Sequence, residues 1–496
     1  MKTRIVISIL FTVAIFIAGC ATVPRQVGSG IDPEWLVGEW ESASFEGLCA
    51  GDFVSETFEF FGDGTFSEET YHANATETSL DGSYTVTGSL LELDDGRGYS
   101  PTIPFYLEND TLIITRRANI GHVKVTFIRV GADSGSTTKA KKLPFEFTID
   151  HEVKRTSVKS QNKTGTCWCF ATISLLEAEA IRNGSGELDL SEMFVVRNVY
   201  PHKARSFVRL HGQASFSEGA LSHHTLNSIK NYGIVPDNVY PGKDDPEAEH
   251  SHGDMVEELT ENLKKPLKRS WLQAHPNWIE EFTATVDSHL GSVPAEFDYN
   301  GKQYTPETFR DEVLRLNMDD YITLVSFEYY PFYEKCRYEA PDNWDFDSNF
   351  YNVPIDDLEE IADRALKNGY SFAWGGDVGE RGHNGQRGFA IVTEDPDIDT
   401  DQMESPVEEK EITQQGRQDD FDDYSSTDDH SMHTVGLAHD QNGTKYYLTK
   451  NSGETDNEYK GYLYLSRSYF RSKILHLVVH KDALSSDMAQ KLGLSD

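Results

Sequence analysis

Hydrophobic and polar positions change their spacing along this chain. From Trp35 to Val130 apolar residues alternate with polar ones in short runs. They include Thr57 to Phe61, Thr65 to Tyr71, Gly82 to Val86, Leu90 to Leu93, Thr111 to Thr115 and Val123 to Val130. Turn residues such as Gly62-Asp63-Gly64 and Asp94-Asp95-Gly96 separate the runs. Alternation of this kind marks half-buried strands. Seven or eight strands in roughly 100 residues predict a small meander barrel.

Beyond a small, polar stretch at 131–142 that reads as a linker, the spacing lengthens. Phe170, Ala171, Ile173, Leu175, Leu176, Ala178 and Ile181 follow Cys167 at intervals that fit a largely buried helix. Asn183-Gly184 closes it. Ser191 before Glu192 reads as an N-cap with an acidic first turn. A further helix ends at Tyr232-Gly233, residues 243 to 320 are charged and helix-rich, and Ile355 to Asn368 is amphipathic. Tyr370 to Val378 is an apolar β-rich run, and Gln441-Asn442-Gly443 is a hairpin turn after the His430 segment. The predicted fold class is α+β: an all-β barrel at 35–130 and a mixed domain at 143–496.

Composition narrows the function. At 38 % hydrophobic and 11 % aromatic the chain can bury real cores. The net charge of −37 argues against nucleic acid as a partner, since phosphate binding needs a basic face. Met1-Lys2-Thr3-Arg4 precedes an apolar run from Ile5 to Ile17, too short for a membrane span. That run ends in Ile17-Ala18-Gly19-Cys20, which resembles the lipobox of bacterial lipoproteins. The resemblance implies a signal peptide at 1–19, a lipid anchor on Cys20, a tether at 20–34 and a place in the cell envelope. Ala21 resembles the outer-membrane sorting signal. Gly38-Glu39-Trp40 resembles the start of lipocalin-like domains, with a spacer or docking role favoured over ligand binding.

Cys167 carries the chemistry. A thiol on the first turn of a helix meets the positive end of the dipole and unpaired N–H groups, which favour the thiolate. A lowered thiol pKa is the expectation. Gln161 lies upstream across a turn that Gly165 can tighten, placed to donate a hydrogen bond to an oxyanion. Two histidines, His430 and His433, sit three apart on a predicted strand and so face opposite ways. After the hairpin comes Asn451-Ser452-Gly453.

Gln161, Gly165 and Cys167-Trp168-x-Phe170-Ala171 resemble the nucleophile segment of papain-like cysteine peptidases, in the bleomycin hydrolase and aminopeptidase C branch. Leu190-Ser191-Glu192, His430-x-x-x-x-Val435-Gly436 and Asn451-Ser452 continue the resemblance in order. It implies a papain-like fold with a helical insertion at 243–320 and peptide substrates. It also implies Cys167 as nucleophile, His430 as its base, Asn451 as the base's orienter and Gln161 in the oxyanion hole. Gly219 matches the second of two glycines along which substrate backbone lies, while Glu218 replaces the first and adds a carboxylate there. Gly453 stands where the family has a tryptophan over the His–Asn bond. The branch places its C-terminal tail in the cleft and acts on free N-termini. Here the last residues, to Asp496, form a shorter tail.

The expected activity is thiol-dependent peptide hydrolysis, as an aminopeptidase before an endopeptidase. A binding lipoprotein on an inactive peptidase fold is the competing class, and transglutaminase-like acyl transfer is opposed by the Gln161 register. A homo-oligomer is left open. No cofactor or metal is expected. Glu249 to Asp254, with His250 and His252, reads as surface. The run 394–429, with 15 acidic and two basic residues, reads as a solvated loop.

Overall fold

The computed structural model describes eight backbone stretches within residues 38–129, and residues 143–494 apart from 244, 246, 247, 396, 397, 454 and 456. The proposed signal peptide, Cys20, the tether, the linker at 131–142 and Asp496 lie outside the described residues. The chain divides into two compact units between Ser136 and Thr137.

The first unit is a closed antiparallel barrel. Its strands are β1 (Gly38–Gly47), β2 (Phe53–Phe60), β3 (Thr65–His72), β4 (Glu77–Thr87), β5 (Leu90–Asp94), β6 (Thr102–Glu108), β7 (Thr111–Ala118) and β8 (Gly121–Arg129). Each pairs with the next, and β1 closes on β8 with Trp40 opposite Arg129. Phe60, Phe66, Tyr84, Leu91 and Ile114 are buried, with the Phe60 and Tyr84 rings edge to face at 5.0 Å.

The second unit packs helices on an eleven-stranded sheet. Strand β9 (Thr148–Glu152) leads to α1 (Cys167–Arg182), α2 (Glu192–Arg209) and α3 (Ser222–Tyr232). Then come α4 (Gly253–Leu263), α5 (Arg269–Ala274), α6 (Trp278–Leu290), the hairpin β10 (Phe297–Tyr299) and β11 (Lys302–Tyr304), and α7 (Pro306–Phe309). Strands β12 (Tyr321–Val325), β13 (Lys335–Cys336) and β14 (Phe350–Asn352) precede α8 (Ile355–Lys367). Next are β15 (Phe372–Gly376), β16 (His383–Asn384), β17 (Phe389–Ala390) and α9 (Gln414–Asp422). The chain continues through β18 (His430–His439), β19 (Lys445–Lys450), β20 (Tyr462–Ser466), α10 (Arg467–Lys473), β21 (Ile474–His480) and α11 (Ser486–Lys491).

Sheet order is β13-β14-β12-β21-β15-β18-β19-β20-β17-β16, with β9 on β18. Gly436 marks where β9 approaches: a side chain there would meet the His151 carbonyl at 2.6 Å. Helix α1 lies between two layers, and its residues Trp168 to Ala180 are all buried. Trp168, Phe170, Ile173 and Leu176 share a core with α2, α3, α4 and α6, and that core also takes Ala373 of β15 and Val478 of β21. The other sheet face carries α8, and Leu484, Met488 and Leu492 of the C-terminal stretch pack there with Ile355, Leu358 and Ala362. The described tail is therefore a core element.

Two expectations are corrected. The run 394–429 contains helix α9 and the fully buried Arg417, whose guanidinium donates to the carbonyls of Ser326, Arg471 and Leu475 at 2.7 to 3.1 Å. Buried carbonyls need donors, and this arginine supplies them, so the segment is tied into the unit. His252, expected at the surface, is 2 % exposed and packs behind Glu218.

The lead into α1 is fixed by Lys159. Its ammonium bonds Glu177 at 2.9 Å, Asp189 at 2.6 Å, Glu192 at 3.1 Å and the Leu190 carbonyl at 3.1 Å. Glu177 and Glu192 are buried, and Lys159 is the cation that holds their charge. Lys159→Met leaves them uncompensated and is expected to cost about 3–5 kcal/mol. Chemical denaturation of the variant against the parent measures it.

Candidate active site

Cys167 stands at the first position of α1, after the N-cap Thr166. The Cys169 and Phe170 N–H groups bond back to the Thr166 carbonyl at 2.9 and 3.2 Å. The helix itself offers no acceptor to the N–H groups of Cys167 and Trp168 ahead of them. The thiol, partly exposed, faces the backbone N–H groups of Ser431 and Trp168. Ser431 adjoins His430 at the start of β18, so sheet and helix end meet at the sulfur. Cys169 points the other way, buried, its sulfur 3.4 Å from the Glu192 carbonyl.

His430 opens β18 and Asn451 directly follows the end of its partner strand β19, His430 Nε2 lying 2.8 Å from Asn451 Oδ1. That oxygen also accepts the Ser452 N–H at 2.8 Å, which fixes which end of the amide points at the ring. Nε2 must therefore carry the ring proton, leaving Nδ1 with a free lone pair. Gly453 lies beside this bond: among the described residues, a side chain there would have only Asn451 atoms within 4 Å.

Gln161 is held from both ends. Its carbonyl accepts Ser452 Oγ at 2.7 Å, and its amide donates to the Thr164 carbonyl at 2.5 Å. An amide has two N–H donors, so one is left for a ligand. Its backbone N–H bonds the Ser452 carbonyl at 2.9 Å. Asn162, at φ 51°, turns the chain, and its side chain accepts the His250 N–H at 3.1 Å.

Glu218 braces the same turn. Its carboxylate accepts the Gly165 N–H at 2.6 Å, and its carbonyl accepts the Trp168 indole N–H at 3.0 Å. Gly165 needs to be glycine, because a Cβ would sit 2.9 Å from Glu218 Cβ. Gly219 follows, with the Asp342 carboxylate against it: a Cβ at 219 would lie 2.1 Å from Asp342 Oδ2.

The electrostatics reverse one expectation. Burial, then the charges of Asp342 and Asp428, push the Cys167 thiol up to about 12, while the Ser431 and Trp168 N–H groups pull it down. The helix start does favour the thiolate, but two carboxylates and desolvation outweigh it. Burial lowers His430 below its ordinary value, and the Asn451 bond and Asp428 raise it in part. Both shifts favour the uncharged forms, thiol and imidazole. Asp428 is itself held by the Tyr338 hydroxyl at 3.0 Å and His476 at 3.3 Å.

A model described as the Peptidase C1-like family matches residues 201–494. The chain belongs to the peptidase C1-like family. As a member it is a cysteine-type peptidase. Aminopeptidase G of Lactobacillus delbrueckii subsp. lactis is 22 % identical over 69 % of this peptidase and 85 % of its own length. Mouse bleomycin hydrolase is 22 % identical over 70 % of this chain and 84 % of its own. The crystal structure of PepW from Lactobacillus rhamnosis HN001 superposes with a TM-score of 0.57 at 19 % identity, over 70 % of this chain and 84 % of that one. The second unit of the peptidase has the papain-like fold.

Several of the peptidase's important contacts had no signature in its sequence. Asp342, Asp428 and the brace from Glu218 to Gly165 come from segments far apart in the chain, and only the unusual Glu218-Gly219 pair hinted at them. Among the described residues, His223, His224 and Asp345 bring possible metal ligands within 4.8 Å of one another. His224 Nδ1 accepts the Leu221 N–H at 2.9 Å, so its Nε2 carries the proton and faces Asp345 Oδ1 at 3.2 Å. The hydrogen bond to that oxygen comes from His223 Nε2, also at 3.2 Å, and the protonated His224 nitrogen is not a metal ligand.

His433 lies under α1, fully buried, with Nδ1 2.8 Å from Ser174 Oγ. Ser174 also accepts Lys450 Nζ at 2.8 Å. His433→Ala removes this bond and leaves a cavity, with an expected cost of about 2–4 kcal/mol. Thermal melts should show the loss, while turnover per folded molecule stays close to the parent's.

Proposed function

We propose that the peptidase removes residues from the free N-terminus of peptides, with Cys167 as nucleophile. The observation that carries this is the His430–Asn451 bond at 2.8 Å, which leaves Nδ1 unprotonated next to the strand residue, Ser431, that faces the thiol. Cys167 Sγ attacks the peptide carbonyl while its proton passes to His430 Nδ1. Because both shifts favour the uncharged forms, this transfer accompanies attack. The Cys167 N–H and the remaining Gln161 amide N–H stabilise the oxyanion. The imidazolium then protonates the leaving amine, and His430 activates the water that hydrolyses the thioester. The printed names of the relatives, aminopeptidase and bleomycin hydrolase, support action at an N-terminus.

A second reading, a binding protein on an inactive fold, draws on the raised thiol and on Gly453 beside the His430–Asn451 bond. Turnover separates the two. His430→Ala is expected to reduce kcat/KM on the order of a thousandfold or more, as for members of a catalytic unit. Asn451→Ala, which frees the ring to rotate, should cost less. Parental turnover in His430→Ala would contradict the assignment.

The reading extends to the first unit. We infer a lipocalin-like barrel acting as a spacer or docking module, supported by the five buried side chains from Phe60 to Ile114. Anchoring through lipid on Cys20 would place the peptidase at the cell envelope, and the outer membrane fits Ala21. Cys20→Ser is expected to move the protein from membranes to the soluble fraction. Retention on membranes would mean that another segment anchors it.

A further inference from the structure

We propose that Asp342 binds the α-ammonium of the substrate's first residue, and that its loop closes the side of the cleft where residues before the cut bond would lie. This rests on the aminopeptidase reading and names the group that enforces it. Glu218 puts a second carboxylate nearby, but it already braces Gly165, which leaves Asp342 for the ammonium.

Three observations converge. The first is place. In a peptide the α-nitrogen is about 2.5 Å from the carbonyl carbon of the same residue. An ammonium on the first residue therefore sits beside the thiol that attacks that carbonyl, and its partner must be there too. Asp342 lies against Gly219, next to the Glu218 that touches both Gly165 and Trp168, and its charge is felt by Cys167.

The second is vacancy of the carboxylate. Among the described residues Asp342 has no hydrogen bond and no ion pair. The nearby cation, Lys203, is buried and donates instead to the carbonyls of Ser217, at 2.8 Å, and Gly219. A largely buried carboxylate without a donor is set for a cationic ligand.

The third is obstruction. The resemblance places substrate backbone along Gly219. Here the Gly219 carbonyl is taken by Lys203 and its Cα is covered by Asp342. A longer or N-acylated substrate has no strand edge to pair with. The loop is also held in place. Asn343 bonds the carbonyls of Tyr338 and Asp347 at 2.8 and 3.0 Å, Trp344 stacks on His224 at 4.2 Å, and Tyr338 reaches Asp428.

The arrangement couples recognition to reactivity. Asp342 disfavours the thiolate in the free enzyme. An ammonium paired with it cancels that charge, so a proper substrate makes its own nucleophile easier to ionise.

The test compares the full chain with Asp342→Asn on an aminoacyl anilide, on its N-acetyl counterpart, and in iodoacetamide alkylation of Cys167 at pH 7. For the variant, kcat/KM on the free amine should fall about thirtyfold or more. The N-acetyl compound should lose nothing, and Cys167 should alkylate faster because a nearby negative charge has gone. Opposite movement of turnover and alkylation is not what general loosening would give. Loss of fold would expose buried Cys169 and Cys336 to the reagent as well. In that event Gly219→Ala, whose Cβ displaces the carboxylate, carries the test with the same expected loss of selectivity. A variant that keeps the parent's preference for a free amine overturns the assignment. If the parent alkylates selectively at Cys167 yet cleaves only N-acetylated peptides, the aminopeptidase reading fails and takes this inference with it.

Discussion

The burial of α1 is the constraint from which the site follows. The helix is closed in from Trp168 to Ala180, with α2 and α3 on one side and the sheet on the other. Such a helix cannot slide or rotate without disturbing the packing on both sides. Its first residue is therefore held against the start of β18, and β18 carries His430. Everything polar around the thiol is then arranged to keep the preceding turn in register: Lys159 under it, Glu218 across it, and Ser452 clasping Gln161. The last of these links Gln161 to the residue after Asn451. Cys167, His430, Asn451 and Gln161 thus belong to one connected frame.

Charge sets the second theme. A thiol at a helix start would ordinarily be acidic, yet here burial, and after it Asp342 and Asp428, oppose ionisation. Both carboxylates are ordered by the same loop, through Tyr338 and Asn343. On the proposed reading, an ammonium paired with Asp342 relieves that opposition. At Gly453, a side chain would meet only Asn451 among the described residues.

What the sequence made legible was local. The barrel strands follow from alternation, α1 from its apolar spacing and its Asn183 cap, and the hairpin from Asn442-Gly443, where Gly443 takes φ 84°. Gln161, Cys167, His430 and Asn451 were readable because each lies in a short motif, and the structure brings the elements that carry them together. The rest was non-local. Arg417 in an acidic run gives no sign that it satisfies three buried carbonyls. His250 and His252 looked exposed because nothing nearby in sequence shows that the turn at Asn162 docks on them. The direction of the thiol shift depends first on burial and then on carboxylates delivered by two distant loops, and the helix-start rule alone pointed the other way.

The central claim is that Cys167 carries the acyl group during turnover. Acid-quenching the enzyme during hydrolysis of an aminoacyl ester, followed by peptide mapping with mass spectrometry, tests it directly. The account predicts an aminoacyl adduct on the peptide containing Cys167, formed within the first turnover and absent in Cys167→Ser. Hydrolysis at the parent's rate in Cys167→Ser, or an adduct confined to another residue, would contradict it.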